Sequence, residues 1–158
     1  MNALKKLLFG FKYAFKGVLF CIKTCRNFRI HTVAVLVVLY FSRFYQLSKT
    51  DYAILLVLFG LVLTSEAVNS AIEQCCNEVS VNYSERIKFA KDAAAGAVLI
   101  TALTALCVAI VMFWDVSVFK EIANYFSHSV IRCLLLALSV LISVIYIFSG
   151  DIFKNGKQ

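Results

Sequence analysis

Glu66, Asn69, Glu73 and Asn77 recur at i, i+3, i+7 and i+11, a spacing that gathers them on one side of an α-helix. Ser70 borders this strip, while Ala67, Val68, Ala71 and Ile72 fill the other side. Ionised carboxylates in or near a bilayer are costly and usually mark a pathway or a site. The uninterrupted apolar run that precedes Glu66, Tyr52 to Leu63, is too short to have crossed ~30 Å of hydrocarbon. The alternative, two glutamates merely solvated just past the membrane edge, fits that position poorly. Two carboxylates two turns apart suit two tasks. One can ligate a hard cation such as Mg²⁺, which prefers oxygen, and the other can act as a general base on a hydroxyl. Asn69 stands between them and, by donating and accepting hydrogen bonds, can orient either.

A second group follows a charged loop. In AKDAAAGAV, residues 90–98, Lys91 offers a mobile cation for phosphate. Asp92 can cap a helix or support a metal. Taken alone, the pair reads better as a snorkelling lysine and an N-cap. The small residues Ala93, Ala94, Ala95, Gly96 and Ala97 permit close helix–helix approach.

Four apolar segments must carry these groups. Residues 30–47, 51–76, 93–114 and 130–148 each approach the ~20 residues that a bilayer requires. They predict an all-α integral membrane protein with one core domain, 1–114, and a C-terminal extension, 115–158. The chain is 61% hydrophobic, against roughly 45–50% in soluble domains, and its mean hydropathy is +0.84. Before the first span, Lys5, Lys12, Lys16 and Lys23 share one face of residues 4–23, and Leu, Phe, Tyr and Val cover most of the remainder. This is the pattern of an amphipathic helix lying on the membrane surface; a soluble coiled-coil partner is the alternative. The run carries no small-residue cleavage site, which argues against a secretory signal.

The net charge of +7 points to anionic lipid headgroups. No aromatic–basic groove pattern accompanies it, so nucleic acid is not expected as a partner. The six cysteines, Cys21, Cys25, Cys75, Cys76, Cys107 and Cys133, form no CxxC pair and read as small hydrophobes rather than a disulfide framework or zinc site. Of the 16 cationic residues, only Arg43, Lys49, Lys120 and Arg132 fall on one side of the four-span arrangement. The positive-inside rule then places both termini, and the Glu/Asn strip, at the cytoplasmic face of the plasma membrane.

The motifs themselves resemble a known family. Glu66-Ala-Val-Asn69-Ser-Ala-Ile-Glu73 is similar to the E-x-x-N-[ST]-A-[IL]-E signature of the prokaryotic diacylglycerol kinase family. Lys91-Asp92-Ala-Ala-Ala-Gly-Ala-Val resembles its second signature at a matching separation. Asn27-Phe-Arg29-Ile-His31 and Tyr13-Ala-Phe-Lys16-Gly17 resemble segments of its Gram-positive undecaprenol kinase branch. The resemblance runs from about residue 5 to 114. It implies a homotrimeric, ATP-dependent membrane lipid kinase with three spanning helices per chain, which moves the γ-phosphate of MgATP to a lipid hydroxyl. Undecaprenol is the implied substrate, and diacylglycerol the alternative. By this resemblance Glu66 is the base and Asn69 its orienting partner. Glu73 holds Mg²⁺. Tyr13, Glu73, Asn77, Asn82, Tyr83, Ser84, Lys91 and Asp92 line the ATP site, and Glu66 and Arg29 meet the lipid.

Several positions depart from the family pattern. Cys25 stands where a second metal-binding glutamate is usual, and a soft thiolate suits Mg²⁺ poorly. Asn77 replaces a usual aspartate, Ser84 a usual loop histidine, and a fourth apolar helix follows Trp114. A degenerate, non-catalytic member of the scaffold is therefore a second reading. A small transporter is a third, although the acidic strip lies at one membrane edge rather than at the midplane. A reporter domain fused after Gln158 is expected to read cytoplasmic; an extracytoplasmic signal would refute the four-span topology.

Overall fold

The chain contains no proline, so nothing in it forbids long helices, and a bilayer interior obliges backbone groups to pair within the helix. The computed structural model describes residues 3–79 and 84–155, with side chains from 4–79 and 84–150. The described residues form six helices: α1, Ala3–Thr24; α2, Arg26–Ser42; α3, Lys49–Val79; α4, Glu85–Phe113; α5, Val116–Ser127; and α6, Val130–Asn155.

α3 and α4 form the principal pair. Ser65 and Thr101 share a hydroxyl–hydroxyl bond of 2.8 Å, and Lys91 donates to Asn77 Oδ1 at 3.0 Å. Moving up one helix moves down the other, so the two run antiparallel. α3 buries Leu55, Leu58, Val62, Glu66 and Ser70, a stripe at three- and four-residue spacing. On α4 only Ala94 is fully buried. Large apolar side chains elsewhere are mostly exposed, among them Leu99, Ile100, Leu103, Leu106 and Ile110 on α4, as expected of a surface that faces lipid.

Three helices, α3, α4 and α6, are long and apolar enough to cross a membrane. The first expected span, 30–47, is corrected: α2 starts at Arg26, ends at Ser42 and has 17 residues, about 26 Å of helix. It ends early because the chain turns back through Phe44 N–H to Phe41 O and Tyr45 N–H to Ser42 O. α3 then starts on a reciprocal cap, in which Ser48 N–H donates to Asp51 Oδ2 at 2.8 Å and Asp51 N–H to Ser48 Oγ at 3.2 Å. α4 begins eight residues before the expected 93, because helical bonding starts where Lys88 N–H reaches Ser84 O. α6 likewise continues beyond 148.

α1 and α2 are separated by a single extended residue, Cys25, with φ −98° and ψ 107°. Cys25 N–H still donates to Cys21 O, and Arg29 N–H to Cys25 O, so the junction is a corner rather than a loop. α6 returns along α2. Phe41, near the end of α2, meets Phe126 just ahead of α6 at 6.5 Å between ring centroids. Arg29, near the start of α2, donates to Ile147 O near the other end of α6.

α5 was not anticipated as an element. Its signal is nonetheless present: Val118, Ile122, Tyr125 and Phe126 are its half-buried residues, at helical spacing, behind Asp115 as N-cap. The Asp115 carboxylate accepts from Ser117 and Val118 N–H. The Ser117 hydroxyl, then the two backbone donors, hold that carboxyl below its ordinary range. A depressed folded-state pKa gives stability that is present above the ordinary carboxylate pKa and is lost as pH falls through the lower folded value. Amide exchange at Ser117 and Val118 is therefore expected to lose protection on acidification in the native chain. In Asp115→Ala it should be fast at both ends of that range. Equal protection in the two proteins would show that the cap is not stabilising.

Candidate active site

Glu66 lies in the buried stripe of α3, continuing the line of Leu55, Leu58 and Val62. It is 2% exposed, and its Oε2 has no hydrogen-bond partner. A polar atom withdrawn from water without a partner is expensive, so a group that remains so in a folded protein calls for a functional account. Asn69 is half-buried one turn on, and Glu73 and Asn77 are exposed further along. The strip therefore grades from a buried carboxylate to an open carboxylate and amide.

α4 brings Lys91 against the open end. Its ammonium donates to Asn77 Oδ1 and leaves Lys91 half-buried, and Asp92 beside it is exposed. An exposed carboxylate, Glu73, and a tethered cation thus occupy the same end of one helix pair. Ser84 sits at the N-cap position of α4 but makes no side-chain cap bond, which leaves its hydroxyl uncommitted to the helix. Asn82 and Tyr83, expected at the nucleotide, lie outside the described residues.

The α1–α2 corner closes on the buried end. Cys21 is buried at the end of α1. Burial pushes its thiol up, and neighbouring Cys25, then the Glu66 carboxylate, add to the effect. Cys21 is thus within electrostatic reach of Glu66, and the sequence did not single it out, since a cysteine in an apolar helix carries no distinguishing pattern. Tyr13, about two turns before Cys21 on α1, is 65% exposed with the Lys16 ammonium 5.9 Å from its ring centroid. It has no contact here with the Glu66 strip that any hydrogen bond records.

One expectation changes in this frame. Arg29 is not available to a lipid. It is 1% exposed, with Nε donating to Ile147 O at 3.0 Å and Nη1 to Lys23 O at 2.9 Å. Cys25, half-buried with its Sγ 3.5 Å from Thr24 Oγ1, joins no metal cluster. Among the described residues no group of three His, Cys, Asp or Glu side chains comes together to hold an ion. Mg²⁺ commonly binds through one or two carboxylates plus substrate phosphates, and Glu73, exposed and oxygen-bearing, fits that use.

The chain is similar to known proteins over most of this region. The family model described as prokaryotic diacylglycerol kinase matches residues 12–113, from α1 to the end of α4. A diacylglycerol kinase of Synechocystis is 40% identical over 103 residues, covering 65% of this chain and 59% of the relative. An undecaprenol kinase of Bacillus subtilis is 31% identical over 112 residues, covering 71% of this chain and 91% of the relative. The chain thus spans less than two thirds of the first relative and nearly all of the second. With the Glu66 strip on α3 and Lys91 facing it from α4, and with both inside the matched region, the chain belongs to the prokaryotic diacylglycerol kinase family.

Proposed function

We propose that the chain is a membrane lipid kinase that transfers the γ-phosphate of ATP to a lipid hydroxyl, with undecaprenol as the lipid. The observation that carries this reading is the buried Glu66, its Oε2 unpartnered, on the helix whose open end meets Lys91. A lipid alcohol is a poor nucleophile until its proton is taken, and a base must be placed where the alcohol arrives. Glu66 accepts that proton, and the alcohol oxygen attacks the γ-phosphorus as the bond to ADP breaks. Asn69, on the same face one turn away, orients the groups. Lys91 places positive charge at the phosphates, where phosphoryl transfer needs it most. Glu73 would hold Mg²⁺ together with phosphate oxygens, and the ion would offset the charge of the triphosphate.

Tyr13, Asn77, Asn82, Tyr83, Ser84 and Asp92 complete the proposed nucleotide site at the cytoplasmic face, with both termini on that side. A homotrimer is proposed from the family resemblance. Undecaprenol is favoured by Asn27-Phe-Arg29-Ile-His31 and by the near-complete coverage of the undecaprenol kinase. Diacylglycerol is the alternative, in line with the higher identity to a diacylglycerol kinase. A non-catalytic scaffold is the second reading, and Cys25 in place of a carboxylate is the observation in its favour.

Purified protein with MgATP is expected to phosphorylate undecaprenol faster than diacylglycerol in parallel radiolabel assays. Glu66→Gln should lower turnover by about 10²-fold or more, as loss of a general base does, while the oligomer elutes unchanged. Transfer to neither lipid, with Mg²⁺ or Mn²⁺, would sink the kinase reading, and a fully active Glu66→Gln would sink the role of Glu66. Cys25→Glu is expected to lower the Mg²⁺ concentration needed for half-maximal activity. An unchanged requirement would mean that position 25 does not reach the ion.

A further inference from the structure

Arg29 is the most enclosed charged residue described, and among the described residues none of its hydrogen bonds goes to a carboxylate. Nη1 donates to Lys23 O at 2.9 Å and, at 3.5 Å, to Ile22 O. Both carbonyls belong to the last turn of α1, where helical acceptors lack partners and a cation is favoured. Nε donates in the other direction, to Ile147 O of α6 at 3.0 Å. One guanidinium therefore joins the end of α1, the start of α2 and the end of α6. Its planar fork is suited to bridging acceptors on separate elements.

Gly150 completes the contact. It lies one turn beyond Ile147, and a Cβ built on it would overlap the guanidinium, nearest Nη1. No other described glycine in the chain meets anything when a Cβ is built on it. Glycine at 150 thus leaves room for the tip of the Arg29 side chain, which is the group that a larger residue there would displace. Any side chain there would push the guanidinium off its carbonyls.

The matched family region ends at residue 113, so α6 is an addition to it, yet its end is seated on an arginine of the core. That arginine holds the corner beside Cys21, which is buried at the end of α1, a helix in contact with the α3 that carries Glu66. We propose that Arg29 is a positioning residue and that the end of α6, from Ile147 to Gly150, is a latch that holds the α1–α2 corner closed beside Glu66. The appended helix is then part of the working enzyme. Release of the latch lets the end of α1 lift and uncovers the buried end of the strip, where the lipid hydroxyl must be presented. The functional half of this inference rests on the kinase reading above, and the structural half does not.

The test uses the full chain in lipid nanodiscs, with Gly150→Val, Arg29→Ala, Arg29→Lys and the Gly150→Val/Arg29→Ala double variant. Alkylation of Cys21 by a small maleimide is followed residue by residue with mass spectrometry, next to KM and kcat for the lipid. Cys21 should react faster by on the order of tenfold in either single variant, as loss of a charge-assisted hydrogen bond implies. The double variant should be no worse than the singles, because both break the same contact. Arg29→Lys should recover little, since an ammonium cannot span both carbonyl sets. KM for the lipid should rise more than kcat falls. Wild-type protection of Cys21 in Gly150→Val, or additive effects in the double variant, would overturn the latch. If the wild type transfers no phosphate, the kinase reading fails while Cys21 protection still decides the latch. If Gly150→Val does not fold, Arg29→Lys carries the same protection readout.

Discussion

A carboxylate buried in the apolar stripe of a membrane helix is the constraint around which the chain is arranged. Glu66 occupies a position of the stripe that Leu55, Leu58 and Val62 otherwise fill. Withdrawing such a group from water costs several kcal/mol unless partners replace the lost hydration. The partners described do not do so for Oε2. The cost is carried by the α3–α4 pair, which is held by apolar contact, by the Ser65–Thr101 bond and, at its open end, by Lys91 on Asn77. Under the proposed function, a residue that destabilises its own helix face yet stays in place serves as a base set before substrate binds, with a lone pair open to an incoming hydroxyl proton.

The opposite end of the bundle has another task, which is to hold the helices at a fixed depth. There the α2–α3 turn meets the end of α4 and the start of α6. Tyr45 donates to Phe113 O at 2.9 Å, and the two rings lie 4.9 Å apart. The Arg43 guanidinium rests 4.1 Å from the Tyr40 ring centroid, and Arg132 the same distance from Tyr125. Aromatic rings and cations of this kind favour the membrane–water boundary. They mark a level on the far side from Glu66, so that the carboxylate strip is set against the other boundary.

The corner at Cys25 links these two requirements. The lysine-bearing face of α1 suits a membrane surface, while α2 packs against α3 and α6. A single extended residue makes that change of direction, and neither proline nor glycine is involved. Arg29 restrains it by bonding the spent carbonyls of α1 and a carbonyl of α6. Acceptors on both sides offset part of the cost of enclosing the guanidinium, although Nη2 is buried without a partner.

Sequence alone determined that this is an all-α membrane protein, because 61% hydrophobic residues leave no soluble way to bury them. Helical spacing alone placed Glu66, Asn69, Glu73 and Asn77 on one face, since the period of a helix is a local property. Local pattern could not say which of the four is buried: that depends on α4 and on the corner covering one end of the strip and not the other. It also misjudged α2, whose apolar run continues through Tyr40 and Phe41 although the chain turns at Arg43 to meet α5. The role of Arg29 was the least legible of all. Its motif pointed toward a substrate, but a side chain's partner more than a hundred residues away, Ile147, is chosen by packing. Only the tertiary structure brings the C-terminal helix back to the residue it holds.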